Sequence, residues 1–323
     1  MNEKQKNKKM MQKVEQVLRE NNRVIFVVLL AACLLPVVSP AVALFAGLTF
    51  ALLAGQPFPR FAKKTSKYLL QFSVVGLGFG MNLHESLQTG RDGMLFTIVS
   101  VFSVLFLGMY LGKRLMMDRK TSYLISAGTA ICGGSAIAAV APVVKANDSE
   151  MSMSLGTIFI LNAIALFIFP PIGHLLGMTQ EQFGMWAAIA IHDTSSVVGA
   201  GAAYGATALE VATMVKLTRA LWIIPVTVLT MFLFRQKGAK VSIPWFILFF
   251  VLAMVANTFL PIPEVASSSL VWLAKKGLTL TLFLIGAGLS REVFRQVGVR
   301  PMVQGVVLWF FIGVMSLGVI LLF

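Results

Sequence analysis

From Arg23 to Phe323 the chain alternates long apolar runs with short connections rich in Lys, Arg, Gly and Pro. About 20 apolar residues are needed for a helix to cross the hydrocarbon core of a bilayer, where backbone groups find no water to bond. The two-residue alternation of a transmembrane barrel is absent. The pattern predicts an all-α polytopic membrane protein of eleven spans, with residues 23–323 as one transmembrane domain. The spans are placed at Val24–Val37, Pro40–Ala54, Tyr68–Leu83, Met94–Leu111, Ser122–Val144, Ser152–Leu176, Phe183–Tyr204, Thr207–Phe234, Ile243–Leu260, Ser268–Leu289 and Met302–Phe323. Ahead of them, Met10, Met11, Val14, Val17 and Leu18 follow helical spacing, with Lys13, Glu15, Arg19 and Glu20 on other faces. Residues 1–22 therefore read as an amphipathic segment on the cytoplasmic membrane surface, or as a solvated basic tail.

Loop charge sets the orientation. Lys4, Lys6, Lys8, Lys9 and Lys13 lie in the tail, and Arg60, Lys63, Lys64 and Lys67 follow span two. Lys113, Arg114, Arg119 and Lys120 follow span four; Arg235, Lys237 and Lys240 follow span eight; Arg291, Arg295 and Arg300 follow span ten. Loops after odd spans are poorer in basic residues, which puts the N-terminus in the cytoplasm and the C-terminus outside. The loop after span six is the exception, since it carries no Lys or Arg.

Composition agrees with this class: 57% of residues are hydrophobic and only 12% charged, about half the charge of a soluble domain. A net charge of +14 would suggest nucleic acid in a soluble protein, but the positive-inside bias accounts for it and no nucleic-acid partner is expected. Cys33 and Cys132 both fall in apolar segments, so no disulfide framework is expected. The Cys and His spacings form no metal site, and no cofactor is expected beyond a coupling H+ or Na+. The polar N-terminus leads into further spans rather than a cleavage site.

Two internal similarities stand out. Gly78-Phe-Gly80-Met-Asn82 resembles Gly286-Ala-Gly288-Leu-Ser290, 208 residues on, and the same offset pairs Gly90 with Gly298 and Met94 with Met302. Spans three and ten have opposite parity, so this would be an inverted repeat, as in many secondary transporters, unless the likeness of Gly-rich apolar segments is accidental. Ala130-Ile-Cys132-Gly-Gly-Ser135 also matches Ala190-Ile-His192-Asp-Thr-Ser195 at Ala, Ile and Ser. With eleven crossings, spans five and seven share a direction, and these centres would lie at similar depth.

Both centres carry candidate chemistry. Cys132, Gly133, Gly134 and Ser135 place helix-weakening residues in mid-span, where paired glycines readily break a helix. Ser135 would then cap a second half-helix whose free amides attract an anion; close helix packing through small residues is the competing reading. In span seven, Asp193, Thr194, Ser195 and Ser196 are favoured caps that compete for backbone hydrogen bonds, beside the titratable His192. On span eight, Lys216 and Arg219 are three apart and share a face. They are either an ion pair with Asp193 or Glu210 that holds helices together, or a positive surplus completed by an oxyanion. Lys275 and Lys276 read as a second basic patch or the end of a shorter span. Gln71, Asn162 and Asn257 read as packing hydrogen bonds.

Three stretches together, Cys132-Gly133-Gly134-Ser135-Ala-Ile, Ile-His192-Asp193-Thr194-Ser195-Ser196-Val-Val-Gly and Lys216-Leu-Thr-Arg219-Ala-Leu-Trp, resemble the YeiH-type family of sulfate exporters. Pro170-Pro171-Ile-Gly-His174 resembles that family's pattern too, and the likeness runs over nearly the whole chain. The resemblance implies the superfamily of cation–proton antiporters and anion transporters that includes bile-acid sodium symporters. It implies two inverted bundles, panel and core, with interrupted crossing helices around a midplane site. A five-plus-five scheme pairs span five with ten and span three with eight, which disagrees with the glycine similarity between spans three and ten.

The resulting expectation is a secondary transporter of a small inorganic anion, sulfate or a related sulfur oxyanion, in the bacterial inner membrane. Cys132 to Ser135, Thr194 to Ser196, Lys216 and Arg219 would bind it, and His192 or Asp193 would couple transport to protons or sodium. Family analogy permits a homodimer. The alternatives are a cation–proton antiporter with Asp193 as ion ligand, and an intramembrane hydrolase using Ser135 and His192. No Gly-x-x-x-x-Gly-Lys-Ser/Thr motif is present, so ATP drive from this chain is not expected.

Overall fold

The computed structural model describes residues 21–84, 94–234, 245–288 and 297–322, all of which lie in helices or in turns between them. Residues 1–20 of the amphipathic segment, the loop bases Arg235, Lys237, Lys240, Arg291 and Arg295, and Gly90 and Ser290 lie outside the described residues. In chain order the helices are α1 (Asn22–Ala32), α2 (Pro40–Ala54), α3 (Pro59–Leu77), α4 (Met94–Arg114), α5 (Arg119–Ala130), α6 (Gly134–Val140) and α7 (Asp148–Leu175). They continue as α8 (Gln180–Ala190), α9 (Thr194–Tyr204), α10 (Ala206–Ala220), α11 (Ile223–Leu233), α12 (Trp245–Phe259), α13 (Glu264–Gly288) and α14 (Val299–Leu322). Among the described residues, five stretches are long and apolar enough to cross a membrane: Phe96–Arg114, Asp148–Leu175, Ala206–Leu233, Glu264–Gly288 and Val299–Leu322.

The helices sort into two groups by what they pack against. In the first, α13 lies along both α2 and α3, with α12 on α3 and α1 on α2. Gly47 and Gly286 let the α2 and α13 backbones cross closely, each lying under a carbonyl of the other helix. Phe26, Phe50 and Phe283 fill the space beside that crossing. The second group contains α4 to α11 and α14. Contact between the groups runs through α9, which touches α2 and α13, and through the small apolar cluster of Leu77, Val198, Leu209, Ala274 and Leu278.

The chain through expected spans five and seven does not run straight on; it turns back. Lys120, at the start of α5, donates from Nζ to Lys145 O just past α6, at 2.9 Å. The two arms therefore begin and end at one level, beside the N-terminal end of α7, where Ser154 Oγ donates to Thr121 O at 3.4 Å. In the same way α8 and α9 return to a common base. Gln180 Oε1 accepts from Thr207 N at 3.0 Å, Tyr204 OH donates to Met178 O at 2.7 Å, and the Phe183 and Tyr204 rings stack at 3.8 Å. This second base sits at the far end of α7, where Gly173 lies against both rings. The 28 residues of α7 span roughly 42 Å at 1.5 Å per residue, so the two hairpins enter the bundle from opposite ends.

This corrects two expectations. The interrupted elements are hairpins whose arms return to one base, and they are opposed rather than parallel. Each hairpin is followed by a 28-residue stretch, Asp148–Leu175 or Ala206–Leu233. The second runs back toward the first hairpin's base, where Tyr123 OH meets Thr230 Oγ1 at 2.7 Å and the Arg119 guanidinium covers the Phe234 ring at 4.9 Å. Hairpin plus long helix is thus an inverted unit used twice, with Gly133 and Asp193, at the two breaks, 60 residues apart. The second long stretch bends at Leu221 and Trp222, whose amides bond three residues back, because Pro225 has no N–H to continue the ladder.

Candidate functional site

The first tip forms because Gly133 adopts φ +63°, a left-handed conformation that glycine takes without steric cost. Helix α5 stops at Ala130, Ile131 leaves helical geometry at φ −121° and ψ −91°, and α6 restarts with Gly133 as its N-cap. The cap expected at Ser135 is not made: Ser135 is the second residue of α6 and its side chain is exposed. Cys132 is buried at the turn.

The second tip forms through side-chain capping, as the Asp-Thr-Ser-Ser run predicts. Ile191 and Asp193 are extended. The Asp193 carboxylate accepts from Ser196 N at 3.3 Å and from the Ser195 hydroxyl, starting α9. A carboxylate at a helix N-terminus satisfies free amides and suits the dipole. Thr194, Ser195 and Ser196 are all buried.

The tips meet. A Cβ on Gly133 would stand 3.3 Å from His192 O and 3.4 Å from Asp193 Cβ. Beside them, near the middle of α7, Asn162 Oδ1 accepts from His192 N at 2.9 Å. Lys216, fully buried on α10, donates from Nζ to Ile131 O at 3.1 Å, Ala188 O at 3.2 Å and Ile191 O at 2.7 Å. Those are the carbonyls left over where α5 and α8 end. The ion pair with Asp193, one of the alternatives for Lys216, is not what forms: the acid caps α9 and the ammonium meets backbone oxygens.

Arg219, one turn further along α10, is also fully buried. Its Nη1 donates to Ser100 Oγ of α4 at 2.9 Å, while Nε and Nη2 have no hydrogen-bond partner among the described residues. The same holds for both ring nitrogens of His192, for Asn162 Nδ2 and for Thr129 Oγ1. Unpaired buried donors cost about 1–3 kcal/mol each, and more when charged, so polar groups of this kind mark a place built for a polar occupant. No hydrogen bond joins Ser135 to His192, so the nucleophile–base pair of the hydrolase alternative is not formed.

Of the residues singled out in the sequence, the structure brings Cys132, Gly133, His192, Asp193 and Lys216 together at the two tips, with Arg219 one turn further along α10. Asn162, read as a packing hydrogen bond, holds an amide of the second tip, and Ser100 is not singled out by the sequence at all; a lone amide or hydroxyl in an apolar run carries no signal that separates it from a packing contact. Asn257 does make such a contact, from Nδ2 to Met81 O at 3.4 Å. Lys275 and Lys276 lie mid-way along α13, away from the tips, with Lys276 Nζ donating to Leu35 O at 2.8 Å. Among the described residues no group of three His, Cys, Asp or Glu could hold a metal.

A family model described as "Conserved hypothetical protein 698" matches residues 23–305. A UPF0324 membrane protein of Bacteroides thetaiotaomicron is 63% identical over 286 residues, covering 88% of this chain and 86% of that one. One from Porphyromonas gingivalis is 61% identical over 289 residues, covering 88% and 87%. One from Geobacter sulfurreducens is 50% identical over 292 residues, covering 90% and 94%. No solved structure matches the chain.

Proposed function

The chain belongs to the UPF0324 family of membrane proteins, the YeiH type, and on that premise we propose a secondary transporter of a small inorganic anion in the bacterial inner membrane. The cargo is sulfate or a related sulfur oxyanion. The observation that carries this reading is Arg219: a buried guanidinium with two unpaired donor nitrogens, one turn along α10 from the lysine that meets both hairpin tips. A planar fork of N–H groups suits a tetrahedral oxyanion.

The charge balance supports it. The C-terminal ends of α5 and α8 carry roughly half a negative charge each, which Lys216 offsets, and Asp193 is committed to the N-terminus of α9. Arg219 is then a buried cation with no opposite charge among its hydrogen-bond partners in the described residues. In this reading Arg219 grips the anion, and Thr194 to Ser196 with the Cys132 to Ser135 turn form its surroundings. Lys216 contributes charge from behind the tips. His192, with both ring nitrogens unpaired, carries the coupling proton. Movement of one helix group against the other would alternate access.

Topology fits the same reading. Two re-entrant hairpins reduce the eleven expected spans to nine crossings and still leave the N-terminus cytoplasmic and the C-terminus outside. Lys145 joins the basic cytoplasmic side, while the loop after span six moves outside. Its lack of Lys and Arg then agrees with the positive-inside bias.

The test is ligand-induced thermal stabilisation of the purified protein with sulfate, sulfite and thiosulfate. An anion at one hundred times its Kd stabilises by about 2.7 kcal/mol. At least one of the three should raise the melting temperature of the wild type, and Arg219→Glu should lose that shift. An undiminished shift in the variant would refute the assignment. Sodium-dependent proton movement with no oxyanion effect would favour the cation–proton antiporter instead.

A further inference from the structure

The three oxygens around Lys216 Nζ belong to different hairpins: Ile131 O to the first, Ala188 O and Ile191 O to the second. An ammonium has three protons and no acceptor, and here each proton has one carbonyl. Two helix C-termini together carry roughly one negative charge, which one ammonium matches. Burying a lone ammonium costs several kcal/mol, and the oxygens that both tips supply to Nζ offset that cost. The arrangement is mutual. Without the charge, carbonyls from two separate hairpins would face one another with nothing between them.

In carriers built from interrupted helices, unwound carbonyls and helix C-terminal ends hold the coupling Na+ or H+. Here a cation fixed to α10 stands at such ends. The other charged or titratable groups near it are Arg219 on its own helix, Cys132 at the first tip, and His192 and Asp193 at the second. We infer that Lys216 is a positioning residue whose ammonium clamps the two hairpin tips together, a built-in cation standing where a carrier of this kind would otherwise take up sodium.

The word carrier rests on the function proposed above; the clamp does not, and the experiment reads the tips rather than transport. Hydrogen–deuterium exchange is measured on the intact protein in lipid nanodiscs. Lys216→Met should raise exchange about tenfold or more at residues 131–136 and 191–196 together, leaving mid-α7 protected. Lys276→Met, which removes another lysine–carbonyl bond, should leave both tips as in the wild type. A rise at one tip only, no rise, or a rise spread equally over α7 would overturn the clamp. In the wild type, exchanging Na+ for K+ at constant ionic strength should leave tip exchange unchanged. Sodium-dependent protection would overturn the idea that Lys216 stands in for that ion, even if the variant fails to fold. Failure of every oxyanion to bind the wild type would remove the transporter reading and leave the clamp intact.

Discussion

Gly133 decides where the first hairpin turns. At φ +63° any side chain is strained, and a Cβ there would also press within 3.1 Å of Ile158 Cγ2. Strain of this kind is of order 1–3 kcal/mol. Gly133→Ala should therefore lower stability by about that amount in thermal unfolding, whereas Gly177→Ala, with the same φ but open space around it, should lower it less. Equal losses would mean that crowding against Ile158 and the second tip contributes nothing. At this scale much was legible in the sequence. A Gly-Gly pair, a run of capping residues and two cations in an apolar stretch each announce themselves by being costly where they stand. Asn162 and Ser100 do not, because their significance lies in what they touch: an amide of the second tip and a guanidinium from another helix.

The elements were harder to read. Ser122–Val144 is as long and as apolar as a crossing helix, and nothing in its composition records which way the chain leaves the glycine pair. The direction is set by long-range contacts, Lys120 with Lys145 at one base and Gln180 with Thr207 at the other. Ala130–Ser135 and Ala190–Ser195 do mark the two breaks, but the shared direction expected from counting eleven crossings is reversed by the same omission. Surface labelling checks this directly, since both native cysteines are buried. Single cysteines at the exposed positions Met116 and Ser149 should react with an impermeant maleimide from one face of the membrane. Those at Glu181 and Ala206, also exposed, should react from the other. Were α5–α6 a crossing span, Met116→Cys and Ser149→Cys would label from opposite faces.

For the whole molecule, the described helices sort into two groups, joined through α9 and the Leu77, Val198, Leu209, Ala274 and Leu278 cluster. The offset of 208 residues between Gly78 and Gly286 finds no matching role: Gly78 packs on Phe250 and Ala253 of α12, Gly286 on Leu44 and Leu48 of α2. The repeat that organises the site is the 60-residue one, and it brings two helix breaks, a clamped lysine and an open-handed arginine to the middle of the bundle. If that centre exists to hold an oxyanion, selenate should find it. Anomalous scattering from a selenate-soaked crystal should place one peak within hydrogen-bonding distance of Arg219 Nε or Nη2, beside the start of α9. Selenate bound only at surface lysines, with the Arg219 nitrogens paired to protein or water, would contradict the account.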